Sequence, residues 1–391
     1  MQAPLTICFD LTPCEMHDRF GGFGRYATTL LRHILAMPEA ALDGIHLLAL
    51  ARSDGPPLDA HDALTASLDM RTLVPPWRHR WQRRLLVGRA LRAAHVDVFH
   101  ATTAAALPFA AGCPVVATVH DIVPVVLPDP RRGLVGRVRR ERDRLEQRWR
   151  LVWADHLVAI SATTARDVMR AFGVPADRIT IVRHGVDESD FHAQVASTER
   201  PEVRARHQLP ARWFVAVGSD HYRKNHRRLF DAWRRVSTTV PEGLVFVGKA
   251  IHDGSLHPIA EDIGRAGLAD RVRWLQDVTD AELPAIYRQA TALVAPSLYE
   301  GFGMTLLESM ACGTPVVASR TDAHLEVGGD AAAYFDPTSV ADMARALGCV
   351  STNAVLREDL RTRGLARAAE FTWARAAKET VDVYRRIAGR G

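Results

Sequence analysis

No run of about 18 or more apolar residues occurs, so no segment reads as a membrane-spanning helix. The start, Met1-Gln2-Ala3-Pro4-Leu5-Thr6-Ile7-Cys8-Phe9-Asp10, has neither a basic leader nor a long apolar stretch. It reads as a first β-strand and not as a signal peptide. Cysteine is scarce: Cys8, Cys14, Cys113, Cys312 and Cys349 are odd in number and scattered, with no CxxC or Cys/His spacing. That argues against structural zinc and a disulfide framework, and fits a reducing cytoplasm. A DxD-type metal signature is missing too, since Asp253 and Asp322 stand alone. Nor does the dinucleotide GxGxxG spacing occur, and no nucleic-acid-binding motif accompanies the basic residues.

What is present is a globular composition. The chain has 391 residues, 47% hydrophobic and 24% charged, which suits two domains better than one. The net charge of +5 is concentrated. One arginine-rich stretch, 77–92, interleaves Arg78, Arg80, Arg83, Arg84, Arg89 and Arg92 with Trp77 and Trp81. A second, 131–150, carries nine arginines, from Arg131 and Arg132 to Arg148 and Arg150. Two readings stand open: solvated helix faces, or contact with an anionic membrane surface or a phosphate-bearing acceptor.

The chain is organised around Pro296-Ser297-Leu298-Tyr299-Glu300-Gly301-Phe302-Gly303-Met304-Thr305-Leu306-Leu307-Glu308. The apolar run Ala292–Ala295 before it predicts a buried strand, and the segment from Met304 to Ala311 a helix. A strand, glycine-containing loop and helix in this order aim backbone N–H groups and a helix dipole at one point, which suits a phosphate. Glu300 and Glu308 flank that point. Carboxylates there would repel phosphate, so they are expected to accept hydrogen bonds from hydroxyls. A ligand with both groups is a sugar nucleotide.

In chain order, after the first strand, which ends near Asp10, strands are expected near residues 45–50, 96–100, 114–121, 156–161 and 179–182, with helices between most of them. Between the first two lies Arg19-Phe20-Gly21-Gly22-Phe23-Gly24-Arg25-Tyr26, then a helix from about Tyr26 to Met37. The glycines fit either a tight turn or a backbone wall lining a ligand cleft. The fourth strand ends in His120-Asp121 and the fifth in Ser161. Polar residues at the carboxyl ends of parallel strands line the ligand crevice, although a histidine there also serves as a loop hydrogen-bonder. Residues 190–211 read as a polar linker. A second βαβ series follows, with strands near 213–218, 244–248, 272–275, 292–295, 316–319 and 333–335. Arg223-Lys224-Asn225 sits in the loop after the first of these. A last helix is expected from about 372 to 388. The pattern is α/β: two Rossmann-like βαβ domains facing across a cleft.

Taken together, Gly22-Phe23-Gly24-Arg25-Tyr26, His120-Asp121, Ser161, Gly185-Val186-Asp187, Gly218 with Arg223-Lys224-Asn225, and Pro296-Ser297…Glu300-Gly301-Phe302-Gly303…Glu308 resemble a family-4 retaining glycosyltransferase of the GT-B fold. The last group resembles the family's E-x7-E signature, with threonine (Thr305) where the family often has proline. The resemblance covers nearly the whole chain. It implies an acceptor-side domain over 1–190, a donor domain over 191–371, and a helix over 372–391 crossing back to the first domain. By resemblance, Arg223 and Lys224 would bind the donor diphosphate, Glu308 the ribose and Glu300 the sugar hydroxyls. Gly301, Phe302 and the amides of Gly303, Met304 and Thr305 would meet the sugar or distal phosphate. Val278 would help frame the base, and Gly218 would sit at the donor. Gly22 and Gly24 would close over the diphosphate, and His120 would lie near the anomeric carbon. Arg25, Tyr26, Asp121 and Ser161 would face the acceptor.

The activity implied is metal-independent, cofactor-free transfer of a hexose, GDP-mannose or a UDP-sugar being the donor, to a saccharide or lipid-phosphate-linked acceptor. Nucleic acid is not an expected partner. Paired glutamates also occur in glycoside hydrolases, but Arg223-Lys224 and the glycine loops have no job in one. A nucleotide-sugar epimerase of the same architecture and a non-catalytic nucleotide-sugar-binding protein are the alternatives.

Overall fold

A computed structural model describes residues 4–12, 22–52, 69–74, 80–103, 107–127, 133–194, 199–249 and 259–389. Cys14, Arg19 to Gly21, Trp77, Arg78, Arg131, Arg132 and Asp253 lie outside them. The chain divides into two compact units, Met1–Val126 with Arg137–Gly185 and Trp373–Gly391, and Leu127–Gly136 with Val186–Thr372.

The first unit runs β1 (Leu5–Asp10), α1 (Gly22–Leu35), β2 (Ile45–Arg52), β3 (Asp69–Val74), α2 (Arg80–Ala93), β4 (Val98–Ala101), β5 (Val115–Val119), α3 (Val123–Val126), α4 (Gly133–Trp153), β6 (His156–Ala159), α5 (Ala162–Phe172) and β7 (Ile179–Ile181). Its strands form a parallel sheet in the order β3-β2-β1-β4-β5-β6-β7. Alternate residues feed two apolar layers, as a sheet covered on both faces requires. Leu5, Ile7 and Phe9 point to one layer, Cys8, Leu48 and Phe99 to the other. In α1, Tyr26, Ala27, Leu30, Leu31 and Ile34 recur at helical spacing and are buried.

Four expectations change here. The sheet has a seventh strand, β3, whose Asp69-Met70-Arg71-Thr72-Leu73-Val74 shows no apolar run; as the edge strand it pairs only with β2. Helix α1 begins at Gly22, so Gly22, Phe23 and Gly24 are its first turn and not a loop. Glycine disfavours helix by about 1 kcal/mol, yet the buried stripe that follows outweighs it, and first-turn N–H groups need no intrahelical partner. The expected linker over 190–211 contains a helix. The arginine stretches are not simply solvated faces either. Arg83 is buried, with Nη2 2.9 Å from Asp10 Oδ2 and 2.7 Å from Thr12 Oγ1. Arg84 lies between the Phe109 and Trp149 rings, 3.9 and 4.2 Å from their centroids.

The second unit continues with α6 (Glu199–Arg206), β8 (Trp213–Val217), α7 (His226–Val236), β9 (Gly243–Val247), α8 (Ile259–Arg265), β10 (Val272–Leu275), α9 (Leu283–Gln289), β11 (Ala292–Ala295), α10 (Met304–Ala311), β12 (Val316–Ser319), α11 (Asp322–Gly328), β13 (Ala332–Phe335), α12 (Val340–Thr352) and α13 (Ala354–Ala368). Its parallel sheet has the order β10-β9-β8-β11-β12-β13. The chain then returns to the first unit through α14 (Trp373–Ile387), which packs on α1 through Trp373, Ala376, Ala377, Val381 and Tyr384.

Candidate functional site

In the second sheet the strand order reverses between β8 and β11. Loops leaving such a pair of strands diverge and open a crevice at their carboxyl ends. After β8, Gly218 adopts a φ of +136°, and a Cβ there would sit 2.7 Å from Lys224 Cε. Only glycine lets the lysine chain lie this close over the backbone. The turn Tyr222–Lys224 ends at Asn225, held in the left-handed region (φ 57°). Its buried amide donates to the carbonyls of Pro296 (2.9 Å) and Pro337 (2.8 Å), and Oδ1 accepts from Arg228 (2.9 Å). One side chain thereby ties the loops after β8, β11 and β13 together. The Leu298 N–H also donates to the Arg223 carbonyl at 2.7 Å.

These ties deliver two cations to one carboxylate. Arg223 Nη1 is 2.5 Å from Glu300 Oε2, and Lys224 Nζ is 2.7 Å from Glu300 Oε1. Ser297 Oγ donates to Glu300 Oε1 at 2.6 Å. Burial alone would raise the Glu300 carboxyl, but the adjacent Lys224 ammonium and Arg223 guanidinium outweigh it and hold it far below the usual carboxylate range. Burial presses Lys224 down from the ordinary lysine value, against the opposing pull of Glu300.

Helix α10 starts beside this group. Gly303, at φ +123° and ψ 46°, precedes it; no side chain caps the helix and no acid lies in its first turn. Its N-terminus therefore offers roughly half a positive charge. Glu308, one turn further along α10, is buried and accepts from the Tyr287 hydroxyl at 3.0 Å. Its charge reaches Lys224. Among the described residues, no group of three or more His, Cys, Asp or Glu side chains is placed to hold a metal ion.

Sequence reasoning missed His324. It lies buried on α11, with Nδ1 3.0 Å from both the Ser319 carbonyl and Ser319 Oγ. A carbonyl can only accept, so Nδ1 carries the proton and Nε2 is left as an acceptor. Its imidazole lies where a Cβ at Gly303 would come within 3.4 Å of Cδ2, and Glu300 acts on it electrostatically. Burial lowers its basicity and keeps it neutral at pH 7. A histidine on a short helix gives no spacing signal; only the fold brings it beside Glu300.

Of the residues expected at the donor, Gly218, Arg223, Lys224, Glu300, Gly303, Met304, Thr305 and Glu308 converge here. Gly301 lies in the same loop. Phe302 is buried, its ring 6.0 Å from that of Phe371, and serves the core. Val278 lies in the loop after β10, two strands from β8. The others belong to the first unit.

There, His120 follows β5 and its Nε2 donates to the Thr102 carbonyl at 2.9 Å, across the end of β4. The Tyr26 and Phe23 rings hold it at centroid distances of 4.7 and 4.8 Å. Burial lowers its basicity, so a neutral ring presents Nδ1 as acceptor. Phe23, Thr103, His120, Asp121, Gln147 and Arg150 line a pocket of about 210 Å³. Two residues expected on the acceptor side make contacts within the unit. Tyr26 is buried, with its hydroxyl 2.9 Å from Thr118 Oγ1 and its ring stacked 4.9 Å from His184. Ser161 caps α5, accepting from the Thr164 N–H at 2.9 Å. Gly22 and Gly24 lie in the first turn of α1, and Arg25 is half-buried on that helix.

Residues 199–367 match the family described as glycosyl transferases group 1, and residues 20–190 match Glycosyltransferase Family 4. The O-antigen chain mannosyltransferase B of Escherichia coli is 32% identical over 275 residues, which cover 69% of this chain and 70% of that one. A D-inositol 3-phosphate glycosyltransferase of Salinispora tropica is 31% identical over 297 residues, covering 70% and 59% of the two chains. Among solved structures, the sucrose-phosphate synthase from Thermosynechococcus elongatus superposes with a TM-score of 0.75 at 19% identity, covering 100% of both chains.

Proposed function

The chain belongs to the family-4 glycosyltransferases, and on that premise we propose that it transfers mannose from GDP-mannose, or a hexose from a UDP-sugar, to a hydroxyl of a saccharide or lipid-phosphate-linked acceptor. The reaction proceeds without a metal and with retention at the anomeric carbon, on the cytoplasmic side. The observation that carries this reading is the Arg223–Lys224–Glu300 group at the strand-order reversal, in front of the uncapped N-terminus of α10.

In that arrangement a nucleoside diphosphate meets fixed positive charge. Arg223 offers a planar fork and Lys224 a point charge. As the bond from the anomeric carbon to the phosphate oxygen breaks, the charge on the diphosphate grows against cations already in place, with no reorganisation. The amides of Gly303, Met304 and Thr305 add to them. The acceptor oxygen bonds to the anomeric carbon on the same face, and its proton passes to the departing phosphate oxygen. Glu300, already ionised, accepts hydrogen bonds from sugar hydroxyls, and Glu308 from the ribose. Val278 flanks the base. The mannose assignment leans on the Escherichia coli relative, a mannosyltransferase by name.

A thermal-shift screen over UDP-, GDP-, dTDP- and ADP-sugars, followed by incubation of the best binder with saccharide acceptors, tests this. Transfer with retained anomeric configuration in EDTA is the expected outcome. An isomerised nucleotide sugar without acceptor would replace the transferase reading with an epimerase, and binding without turnover would leave a binding protein.

A further inference from the structure

The reaction as proposed leaves His324 without a task, although its imidazole stands beside residues that would carry the donor. The ring is 1% exposed. Glu300 and Lys224 both act on it electrostatically. One ring nitrogen is occupied by the fold. Nδ1–H points at the Ser319 carbonyl and Ser319 Oγ, 3.0 Å from each. Ser319 Oγ–H donates to the Ser297 carbonyl at 2.6 Å, and Ser297 Oγ–H donates to Glu300 Oε1 at 2.6 Å. Each of these bonds runs the same way, from the imidazole towards the carboxylate. That direction fixes the tautomer and makes Nε2 an acceptor.

The other nitrogen is offered to the site. Among the described residues no donor reaches Nε2. Nε2 is bonded to Cδ2, and Cδ2 is the atom nearest to where a Cβ of Gly303 would stand, at 3.4 Å. That edge of the ring therefore borders the start of α10. The cations nearby are turned to Glu300: Arg223 Nη1 lies 2.5 Å and Lys224 Nζ 2.7 Å from its oxygens. A buried acceptor without a donor is costly. An ionised phosphate has only acceptor oxygens and cannot supply the missing proton, whereas a hydroxyl can.

On the donor-site reading given above, which this assignment rests on, we propose that His324 is a specificity-determining residue for the donor. Its Nε2 accepts a hydrogen bond from a hydroxyl of the transferred sugar, beside the hydroxyls held by Glu300. The sugar thus meets two kinds of acceptor, a carboxylate and a neutral imidazole. The donor class that fits is a nucleotide sugar with a free hydroxyl where Nε2 reads it. A sugar lacking that hydroxyl is rejected, because it buries Nε2 unpaired.

Two variants separate the nitrogens. Asparagine carries its amide nitrogen where Nδ1 lies, so His324→Asn should keep the Ser319 bond and lose the acceptor. Glutamine reaches to where Nε2 lies, so His324→Gln should keep the acceptor. Isothermal titration uses GDP-mannose against GDP, and UDP-glucose against UDP. The readout is the ratio of the two affinities within one preparation, which partial misfolding does not move. For the pair that wild type prefers, His324→Asn should bind the nucleotide sugar about tenfold more weakly, as for one lost hydrogen bond, and the nucleoside diphosphate as wild type does. His324→Gln should recover most of the loss. Among the 2-, 3-, 4- and 6-deoxy forms of the donor, one should bind wild type about tenfold more weakly and cost His324→Asn nothing further, since both changes remove the same bond. A His324→Asn protein with the wild-type ratio would overturn the assignment and leave the donor site standing. So would equal losses for sugar nucleotide and nucleoside diphosphate, which would make His324 a support for the Arg223–Lys224–Glu300 group. A wild-type chain that binds neither member of either pair would remove the donor site and this assignment with it.

Discussion

Glu300 stands between Arg223 and Lys224 in contact with both, so its chemistry is set by what surrounds it and not by its sequence neighbours. Removing one member of such a group leaves a poorly solvated charge without its partner, which costs roughly 3 kcal/mol of stability. Glu300→Gln should therefore lower the urea midpoint at pH 7. The pH dependence has a defined sign. The folded carboxyl titrates below the unfolded one, so on acidification the unfolded chain binds the proton first. The stabilisation is complete at neutral pH and drains away below the unfolded value of about 4.3. The gap between wild type and Glu300→Gln should narrow by about 1 kcal/mol at pH 3.5; a gap of constant size would show that Glu300 is not held by these cations. Lys224→Ala acts on the reaction instead. If Lys224 meets the charge growing on the diphosphate, kcat should fall roughly 10²- to 10³-fold, and near-wild-type kcat would remove it from the mechanism. Glu300 stood out in the sequence beside its glycine-containing loop and Arg223 and Lys224 through the family resemblance, and the fold brings the three side chains into contact. His324 did not stand out, since a neutral imidazole two loops away acquires meaning only when the fold sets it against Gly303.

Among the elements, those buried on two faces were the easiest to anticipate. Strands such as β5, in which all five residues are buried, show as apolar runs, and α10 runs from Met304 to Ala311 as its pattern predicts. Strand β3 escaped because an edge strand has one neighbour and tolerates polar residues. The start of α1 escaped because glycine argues for a loop locally, while the packing of Tyr26 and Ala27 decides it globally. At α10 the decisive position is Gly303. Its φ of +123° disfavours any side chain, and a Cβ would reach within 3.4 Å of the His324 ring. Gly303→Ala should cost about 1–3 kcal/mol of stability and weaken donor binding by turning the first amides of α10 out of line. Isothermal titration with the donor's nucleoside diphosphate checks this; unchanged affinity would show that these amides do not meet the phosphates.

The chain has two compact units: it passes to the second over Leu127–Gly136 and again after Gly185, and returns to the first for good at Trp373. The returning helix α14 is structural. Trp373 stacks on His184 at 5.2 Å, and the Tyr384 hydroxyl sits 2.5 Å from His100 Nδ1. His100 Nε2 pairs with Thr118 Oγ1 at 2.8 Å, and burial pushes the imidazole's pKa down to about 3. His100 is therefore neutral and depends on both partners. Tyr384→Phe would leave a buried ring nitrogen unpaired, at about 1–3 kcal/mol, and that loss falls on the first unit. Nucleotide binding should fall on the second, which holds Arg223, Lys224 and Glu300. Ligand at 100 times its dissociation constant stabilises the state that binds it by about 2.7 kcal/mol. Calorimetry should then resolve two transitions. Tyr384→Phe should lower one of them, and the nucleoside diphosphate should raise the other, each leaving its counterpart in place. A single transition answering to both would mean that the two cores melt as one, and would sink the assignment of the two effects to separate units.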